Sequence, residues 1–517
     1  MYSPTLEEFK RLATQGNLIP VTRRLLADIE TPLSAYRKIS GQGESFLFES
    51  VEGGEHLGRY SFVGCNPRAV IRQLRDEVEV VENGRTVERY RVVRTGGGAG
   101  APGGPQGLPA VRDGLEVVER VMARFRPVTV PGLPRFTGGA IGFIGYEFIH
   151  DIEPVVPQPA TDELGTPVMY FLIADELLVF DRVGQSITVL VNAVVPDGGR
   201  AEDAYEEAVA EIERLVSLLE QPSEHHPVTL PSEVPGIGFE PNLTPERFFE
   251  NVRRAKEYIR MGDIIQVVGS QRFCTGVTAS AVDVYRAVRS VNPSPYMFLL
   301  ELEGFALVGA SPEIHVRCED REVEIRPIAG TRRRGATPAE DAALEAELLA
   351  DPKERAEHVM LVDLARNDLG RVCDFGSVQV RDLMVIERYS HVMHIVSQVT
   401  GRLSAERTLY DLMRATFPAG TLSGAPKIRA MQIIAELEQT TRGPYGGCVG
   451  YFSFNGNLDC CITIRTALLK GGRAYVQAGG GWVTDSTPEA EYQETVNKAK
   501  AMLKAVAMAE GFQRRAG

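Results

Sequence analysis

Two carboxylates and one amine share the spacing of a single helical face near the end of the chain. Glu491, Glu494 and Lys498 stand at i, i+3 and i+7, which places their side chains within about 60° of one another on a helix. An exposed ion pair accounts for such a face without any function. Residues 479–481, just before it, are all glycine, and glycine lets a backbone approach a ligand closely. The pattern predicts either a solvated face or a ligand site.

A further carboxylate, Glu357, lies on an apolar helical stripe. Glu357, Leu361 and Leu364 recur at i, i+4 and i+7 in a segment that begins EHVMLVDLARNDLG. A carboxylate among apolar neighbours must be paired, protonated or bound to a cation, because an unpaired buried charge is costly. If Glu357 meets Glu494, two hard oxygen ligands with open coordination positions fit Mg2+ better than Zn2+.

Arg465 and the segment 416–427 are candidates for binding an anion. In a strand over CCITIRTALL, Arg465 shares one face with Cys461, Thr463 and Ala467, all of which are small. Such a guanidinium either lies in solvent at a strand end or holds a carboxylate through two hydrogen bonds. The segment TFPAGTLSGAPK leads through a glycine-rich turn into a helix with free N–H groups, but it lacks the Walker spacing GxxxxGK. It is a candidate anion site and not a P-loop.

Three other polar positions have ordinary structural interpretations. His394 alternates with apolar residues in HVMHIV, which is typical of a core histidine. Glu313 follows Ser-Pro in a turn, and the three arginines at 332–334 are typical of a solvated loop. Spacing and composition alone thus predict a soluble enzyme with a Mg2+ and anion site in its C-terminal half.

The elements that position these residues are predicted from periodicity and capping. Thr244 as N-cap and Pro245 in the first turn begin a helix that ends at Gly262. A β-branched strand follows over 263–273, and Gln266 interrupts its apolar face.

The C-terminal part predicts a three-stranded meander followed by a helix. Strands over 448–454 and 459–469 flank an Asn-Gly turn, and a third strand runs over 473–478. The final helix is predicted from Ser486, whose spacing to Glu489 fits a capping box. Strands joined by hairpins and mixed with helices predict an α+β fold with layered, mainly antiparallel sheets flanked by helices.

Two stretches rich in Gly or Pro, at 95–109 and 221–243, read as connections. The second divides the chain of 517 residues into an N-terminal region, 1–243, and a C-terminal region, 244–517, that carries the candidate residues.

Composition and charge exclude several classes of protein. A net charge of −13 argues against a general nucleic-acid binder, which needs clustered Lys and Arg. No apolar run approaches the length of a membrane span, and the N-terminus has no signal-peptide pattern, so we expect a cytoplasmic protein without membrane association. The seven cysteines contain no CxxC pair and are expected to be reduced.

Taken together, seven segments resemble the chorismate-utilising enzymes, in the order that is typical of that family. They are GDIIQVVGSQR (262–272), ASPE (310–313), PIAGTRRRG (327–335), EHVMLVDLARNDLGRV (357–372), TFPAGTLSGAPK (416–427), DCCITIRTA (459–467) and EAEYQETVNKA (489–499). The N-terminal region resembles the anthranilate synthase large subunit at SFLFES (45–50), GRYSFVG (58–64) and FTGGAIGFIGYE (136–147).

The resemblance implies a role for each candidate residue. Mg2+ is expected to bind Glu357 and Glu494, with Glu491 in the same site. The metal ion would bind the ring carboxylate of chorismate. His394 is similar to the catalytic histidine of the family, and Glu313 to the acid that protonates the departing C4 hydroxyl. The pocket that the resemblance implies for substrate is formed by Gln266, Ala329, Gly330, Thr331, Thr421, Tyr445, Arg465, Gly480, Gly481 and Lys498.

Two of these positions distinguish branches of the family. Members that add water at C2 use a lysine as general base where this chain has Gln266, and an amide cannot remove a proton. Aminodeoxychorismate synthases use a nucleophilic lysine where this chain has Ala329, and a methyl group cannot form that adduct. Addition of ammonia at C2 is left, which leads to 2-amino-2-deoxyisochorismate and then, by loss of pyruvate, to anthranilate for tryptophan biosynthesis.

Alternatives and partners follow from the same resemblance. An enzyme that stops at 2-amino-2-deoxyisochorismate would share Gln266 and Ala329, and a non-catalytic module that senses chorismate or tryptophan would keep the fold. No cysteine lies in a GxCxG elbow of the kind that glutamine amidotransferases carry, so ammonia is expected from a separate glutamine amidotransferase subunit in a heterotetramer.

A regulatory site for L-tryptophan is also implied by resemblance. The residues concerned are Glu49, Ser50, Pro295, Tyr296, Met297 and Cys461. Glu49 is expected to pair with an amino-acid ammonium, and the Pro-Tyr-Met turn to offer an apolar wall to an indole. An edge strand packed on an ordinary proline turn is the alternative.

Overall fold

The structure, a computed structural model, describes residues 1–50, 58–94, 107–222, 228–230, 234, 236, 238–389 and 392–512. Most of the predicted connection at 95–109 and parts of the one at 221–243 lie outside the described residues. Within the described residues, no helix is both long enough and apolar enough to cross a membrane.

Two large sheets dominate the described part of the chain, one of 13 strands and one of 12. In pairing order the first sheet contains Tyr2–Ser3, Leu18–Leu26, Ser186–Val194, Glu176–Asp181, Tyr60–Cys65, Ser45–Glu49, Tyr296–Leu302, Phe305–Ser311, Thr466–Lys470, Arg473–Trp482, Gln266–Gly276 and Glu240–Pro241, with Gly424–Ala425 also paired to Gln266–Gly276. The second contains Gln379–Val380, Val399–Arg402, Glu322–Ile325, Ile314–Glu319, Leu458–Ile462, Cys448–Ser453, Gly139–Ile144, Met169–Ala174, Ala69–Leu74, Glu77–Glu82, Arg85–Val92 and Ala110–Val111. A third, small sheet contains Ile328–Arg333, Val392–Val396 and Val385–Arg388.

Helices cover the outer faces of the two large sheets, and one of them, Pro338–Ala350, packs on the small third sheet. They are Leu6–Leu12, Pro32–Ile39, Gly114–Met122, Ile149–Ile152, Ala201–Glu220, Pro245–Met261, Ala281–Val291, Pro338–Ala350, Pro352–Gly370, Leu409–Thr416, Lys427–Glu438 and Pro488–Glu510. Side chains such as Phe143 and Phe298, from opposite sheets, form one buried cluster between the sheets. Two further clusters join the outer faces to the helices. The strand pairs are antiparallel except for Arg85–Val92 with Ala110–Val111, which confirms the predicted α+β class.

Both regions of the chain contribute to both large sheets. Ser45–Glu49 pairs with Tyr296–Leu302 in the first sheet, and Gly139–Ile144 pairs with Cys448–Ser453 in the second. Residues 1–243 and 244–517 therefore share their hydrophobic cores instead of forming two separate ones.

The helix predicted after Thr244 is confirmed. It spans Pro245–Met261, the Thr244 side chain accepts from the Arg247 N–H, and Gly262 ends it with φ of 83°. The strand that follows begins at Gln266, three residues later than predicted.

The predicted meander at 448–478 is wrong in one respect. The expected strand over 459–469 is two strands, Leu458–Ile462 in the second sheet and Thr466–Lys470 in the first. Arg465 lies in the break and has a left-handed backbone with φ of 50°. A strand cannot continue through that conformation, so the chain crosses there from one sheet to the other.

The final helix also begins later than predicted. It spans Pro488–Glu510 with Thr487 as N-cap, and no side chain caps it. Ser486 instead accepts a hydrogen bond from the Val483 N–H at 2.9 Å. The predicted capping box between Ser486 and Glu489 is therefore absent.

Candidate active site

One cleft of about 670 Å³ contains every residue that the sequence assigned to metal, substrate or catalysis. Those residues are Gln266, Glu313, Ala329, Gly330, Thr331, Glu357, His394, Thr421, Tyr445, Arg465, Gly480, Gly481, Glu491, Glu494 and Lys498. The strands Gln266–Gly276 and Arg473–Trp482 form one wall of this cleft, and the helices Pro352–Gly370 and Pro488–Glu510 provide its carboxylates.

Three carboxylates line one side of the cleft. A methyl group added at Gly480 would lie 3.1 Å from Glu491 Oε2 and 3.2 Å from Glu494 Oε1, so both acids meet at this glycine. Burial raises the pKa of Glu357 and of Glu491; the charge of Glu354 and, to a smaller extent, that of Glu494 raise the pKa of Glu357 further, and the charge of Glu494 raises that of Glu491. Within the described part of the chain, Glu491 Oε2 is buried without a hydrogen-bond partner.

These features fit a hard cation. Carboxylate oxygens that raise one another's pKa gain from a positive charge placed between them, and an all-oxygen donor set favours Mg2+ over Zn2+. Among the described residues, no group of three or more His, Cys, Asp or Glu side chains is arranged so that it could hold a metal ion. Glu494 Oε1 instead lies 2.7 Å from Lys498 Nζ. A cation would therefore compete with Lys498 for Glu494.

Positive charge lies beside the carboxylates, where Arg465 and Lys498 line the cleft together with Glu494. Within the described residues, the Arg465 guanidinium makes no hydrogen bond or ion pair, although burial lowers its pKa. Its position is set by the break between two strands and not by the strand face predicted from Cys461, Thr463 and Ala467. A desolvated guanidinium without a partner is suited to a carboxylate ligand.

Glu313 keeps a substantial fraction of its protonated form near neutral pH. It is 6% exposed, it follows the strand Phe305–Ser311, and burial raises its pKa to about 7. The Thr421 hydroxyl donates to Glu313 Oε1 at 2.7 Å. A carboxyl group with this pKa is suited to general acid catalysis at neutral pH.

His394 lies in the strand Val392–Val396, next to Ile328–Arg333 in the small sheet. Its Nδ1 is 3.1 Å from the Gly330 carbonyl oxygen and 3.0 Å from Thr331 Oγ1. Because a carbonyl oxygen can only accept, Nδ1 carries the proton in that bond and Nε2 of the neutral ring is a proton acceptor. Burial lowers the pKa of His394, which favours the neutral ring.

Several cleft residues were missed in the sequence. Lys353 lies one helical turn before Glu357, and Gln477 alternates with Gly479 and Gly481 along one strand. The helical spacing to Glu357 and the strand alternation with Gly481 could have identified Lys353 and Gln477 from the sequence. The predicted solvated loop at 332–334 is mostly strand, and Arg332 pairs with Glu347, Asp351 and Glu354.

Comparison with known proteins identifies the family of the chain. Residues 104–504 match the family model of chorismate binding enzymes. The chain is 47% identical over 512 residues to anthranilate synthase component 1 of Acetivibrio thermocellus, covering 98% of this chain and 99% of that protein. It is 46% identical over 508 residues to the Pseudomonas aeruginosa protein of the same name, with the same coverage. This chain belongs to the chorismate binding enzyme family, in its anthranilate synthase component 1 branch.

The fold agrees with this family. A crystal structure of anthranilate synthase component I from Streptococcus pneumoniae matches 93% of this chain and 99% of its own length, with a TM-score of 0.74 and 37% sequence identity. The resemblance noted in the sequence is thereby confirmed.

In this family member, the residues predicted for tryptophan line a second pocket, between the two large sheets. Glu49, Ser50, Pro295, Tyr296, Met297 and Cys461 all contribute to it, together with aromatic side chains that include Phe48 and Tyr451. Ser50 Oγ is buried and has no hydrogen-bond partner among the residues that the structure describes. Pro295 also lines the first cleft, so one residue contacts both cavities.

The expected role of the Glu49 carboxylate needs correction. It is fully buried, accepts from the Tyr285 hydroxyl at 2.6 Å and pairs with Arg182 Nη2 at 3.1 Å. Successive side chains of a strand point to opposite faces, and this one points to the helix Ala281–Val291 that carries Tyr285. It is therefore not free to pair with an amino-acid ammonium.

Proposed function

We propose that this chain is the large subunit of anthranilate synthase and converts chorismate and ammonia to anthranilate, pyruvate and water. The observation that carries the proposal is the cleft in which Gln266 and Ala329 face the same cavity as Glu313. This cavity contains an acid for loss of the C4 hydroxyl but neither a lysine base nor a lysine nucleophile at these two positions. Ammonia is then the nucleophile at C2.

Each residue has a task in the proposed reaction. Mg2+ held by Glu357, Glu491 and Glu494 would supply positive charge to the ring carboxylate of chorismate. Arg465, with Tyr445 and Lys498, binds carboxylate charge on the substrate. Glu313 gives its proton to the departing C4 hydroxyl as ammonia forms the bond to C2, and Thr421 holds the acid in place. His394 then accepts the C2 proton through Nε2 as the C3–O bond breaks and the ring becomes aromatic, and the released enolate takes up a proton to give pyruvate.

The decisive assay mixes the protein with chorismate, Mg2+ and an ammonium salt at alkaline pH. We expect the fluorescence of anthranilate to appear and to require all three reagents. A non-fluorescent amino product would support an enzyme that stops at 2-amino-2-deoxyisochorismate, because that product lacks the aromatic ring. No loss of chorismate would support a sensing module.

A separate glutamine amidotransferase subunit is proposed as the natural source of ammonia, and the cytosol as the location of the complex. Glutamine should replace ammonium in the assay only when that subunit is added.

Replacing Ala329 with Lys tests whether this position faces C2 of the substrate. Ala329 is buried on the strand Ile328–Arg333 and lines the cleft. We expect the new amine to be trapped as a covalent adduct, with anthranilate formation reduced about a hundredfold. Mass spectrometry of the protein after incubation with chorismate detects the adduct. Ala329→Met adds similar length without an amine and should show no adduct; an unmodified, fully active lysine variant would contradict the placement.

We further propose that L-tryptophan inhibits the enzyme from the second pocket, since Pro295 connects that pocket to the cleft. Replacing Ser50 with Phe should fill the space beside the unpartnered hydroxyl and raise the inhibitory concentration of tryptophan at least about tenfold. Turnover without tryptophan should change little. Ser50→Ala, which removes only the hydroxyl, should have a smaller effect, and equal sensitivity of wild type and Ser50→Phe would refute the site.

A further inference from the structure

A buried arginine behind the cleft wall binds several segments at once. Arg442 is 2% exposed. Its Nε and Nη2 donate to the two carboxylate oxygens of Glu438 at 2.8 and 2.6 Å. Its Nη1 donates to the Leu422 carbonyl oxygen at 2.9 Å, and Nη2 also donates to the Val268 carbonyl oxygen at 2.7 Å. One guanidinium thus joins a helix, a turn and the strand Gln266–Gly276.

Each of these contacts leads to a residue of the active site. Leu422 lines the cleft and directly follows Thr421, and Val268 lines it on the strand that carries Gln266. The Arg442 guanidinium also lies 5.7 Å from the ring centroid of Tyr445, another cleft residue. Val268, Leu422 and Tyr445 pack in one cluster, so a change in the position of Arg442 would reach this part of the cleft wall.

Glu438 extends the same network on the other side. Its Oε1 accepts from the backbone N–H and from the hydroxyl of Ser270, each at 2.9 Å. The Ser270 hydroxyl in turn accepts from Gln477 Nε2 at 2.8 Å, and Gln477 lines the cleft. The ion pair is buried on both partners, with 1% and 5% of the side chains exposed.

We propose that Arg442, paired with Glu438, is a positioning residue that holds the cleft wall in its catalytic geometry without touching the substrate. The proposal rests on the proposed function for its activity measurement only. Its physical basis is that one rigid, planar guanidinium donates hydrogen bonds to acceptors on three segments. These bonds fix the distances between the three segments. A displacement of about 1 Å at such a wall is enough to reduce turnover about a hundredfold.

The test removes both charges together. A single substitution would leave one buried charge without its partner, and the resulting loss of stability could not be separated from a loss of positioning. In Arg442→Met/Glu438→Gln no charge is left unpaired, and the amide oxygen still accepts from Ser270. We expect a melting temperature within about 5 °C of wild type and kcat for anthranilate formation reduced at least about thirtyfold. If this variant does not fold, Arg442→Lys serves instead, because it keeps the charge but presents only one ammonium to acceptors on three segments. We expect Arg442→Lys to lower kcat as well.

Trp482 provides a readout that does not depend on the assigned reaction. It is the single tryptophan of the chain, it is 1% exposed, and a methyl group at Gly269 would lie 2.1 Å from its ring. Gly269 lies between Val268 and Ser270, which the network holds. We expect acrylamide quenching of Trp482 to rise at least about twofold in the variant, even if wild type forms no anthranilate.

The matched control neutralises another buried pair. Arg414 and Asp113, with 12% and 3% of their side chains exposed, pair at 2.7 Å and line neither the cleft nor the second pocket. Arg414→Met/Asp113→Asn should leave both kcat and Trp482 quenching unchanged. A folded Arg442 variant with kcat within about threefold of wild type would overturn the proposal, as would unchanged quenching where wild type is inactive. An inactive wild type would separately refute the proposed function.

Discussion

Replacing Glu494 with Gln should reduce Mg2+-dependent turnover a hundredfold or more while the fold is retained. The helix Pro488–Glu510 keeps its length, and glutamine has a similar helix propensity to glutamate. A neutral amide is a poor ligand for a hard cation, and charge stabilisation by a metal is worth several kcal/mol, which corresponds to about two orders of magnitude or more. Initial rates measured over a Mg2+ titration, with circular dichroism to check the fold, test this result.

Glu489→Gln is the matched control for this prediction. Glu489 lies on the same helix, is exposed and does not line the cleft. Its replacement should leave both turnover and the dependence on Mg2+ unchanged. Wild-type turnover and an unaltered Mg2+ titration in Glu494→Gln would show that this carboxylate is not a ligand.

Replacing Glu313 with Gln should reduce kcat by a factor of about 100 to 10,000, the usual contribution of a general acid. The amide has nearly the same shape and can still accept from the Thr421 hydroxyl, so substrate binding should change much less than turnover. Steady-state kinetics with chorismate, together with Glu322→Gln as an exposed control from the neighbouring strand, measure this difference. A loss confined to KM would contradict the assignment as an acid.

For Glu313→Gln we also expect a defined change in the pH dependence of stability. Burial raises the pKa of Glu313 from an ordinary value of 4.5 to about 7, so the folded state resists its ionisation. An acid with a raised pKa in the folded state lowers stability progressively between the unfolded and folded pKa values, and the loss is complete above the folded one. Glu313→Gln should therefore melt like wild type near pH 4.5 and at a higher temperature at pH 8. Equal melting temperatures at both pH values would contradict the raised pKa.

Local patterns were sufficient for the helical part of the site. Glu491, Glu494 and Lys498 reach one cleft because three- and four-residue spacings fix a common face on any α-helix. Glu357 reaches the same cleft with Leu361, its neighbour at i+4 on the predicted stripe. The resemblance to the chorismate-utilising enzymes supplied the remaining assignments, including Glu313 and His394, whose local patterns indicate only a turn and a core strand.

Local patterns failed where the chain changes sheet or where packing selects a face. Nothing in CCITIRTALL marks the break at Arg465, because a strand over all these residues satisfies the same propensities. The direction of the Glu49 carboxylate depends on Tyr285 and Arg182, which are distant in the sequence.

From periodicity and residue type, the sequence by itself predicted the α+β class and the residues that could bind a cation and an anion, and the resemblance of its motifs to the chorismate-utilising enzymes gave the family. Only the tertiary structure decided how these residues act together. It placed strands of both regions in shared sheets, brought Pro295 between two cavities and buried Arg442 against Glu438. These outcomes depend on contacts between residues far apart in the chain, and no local periodicity encodes such distances.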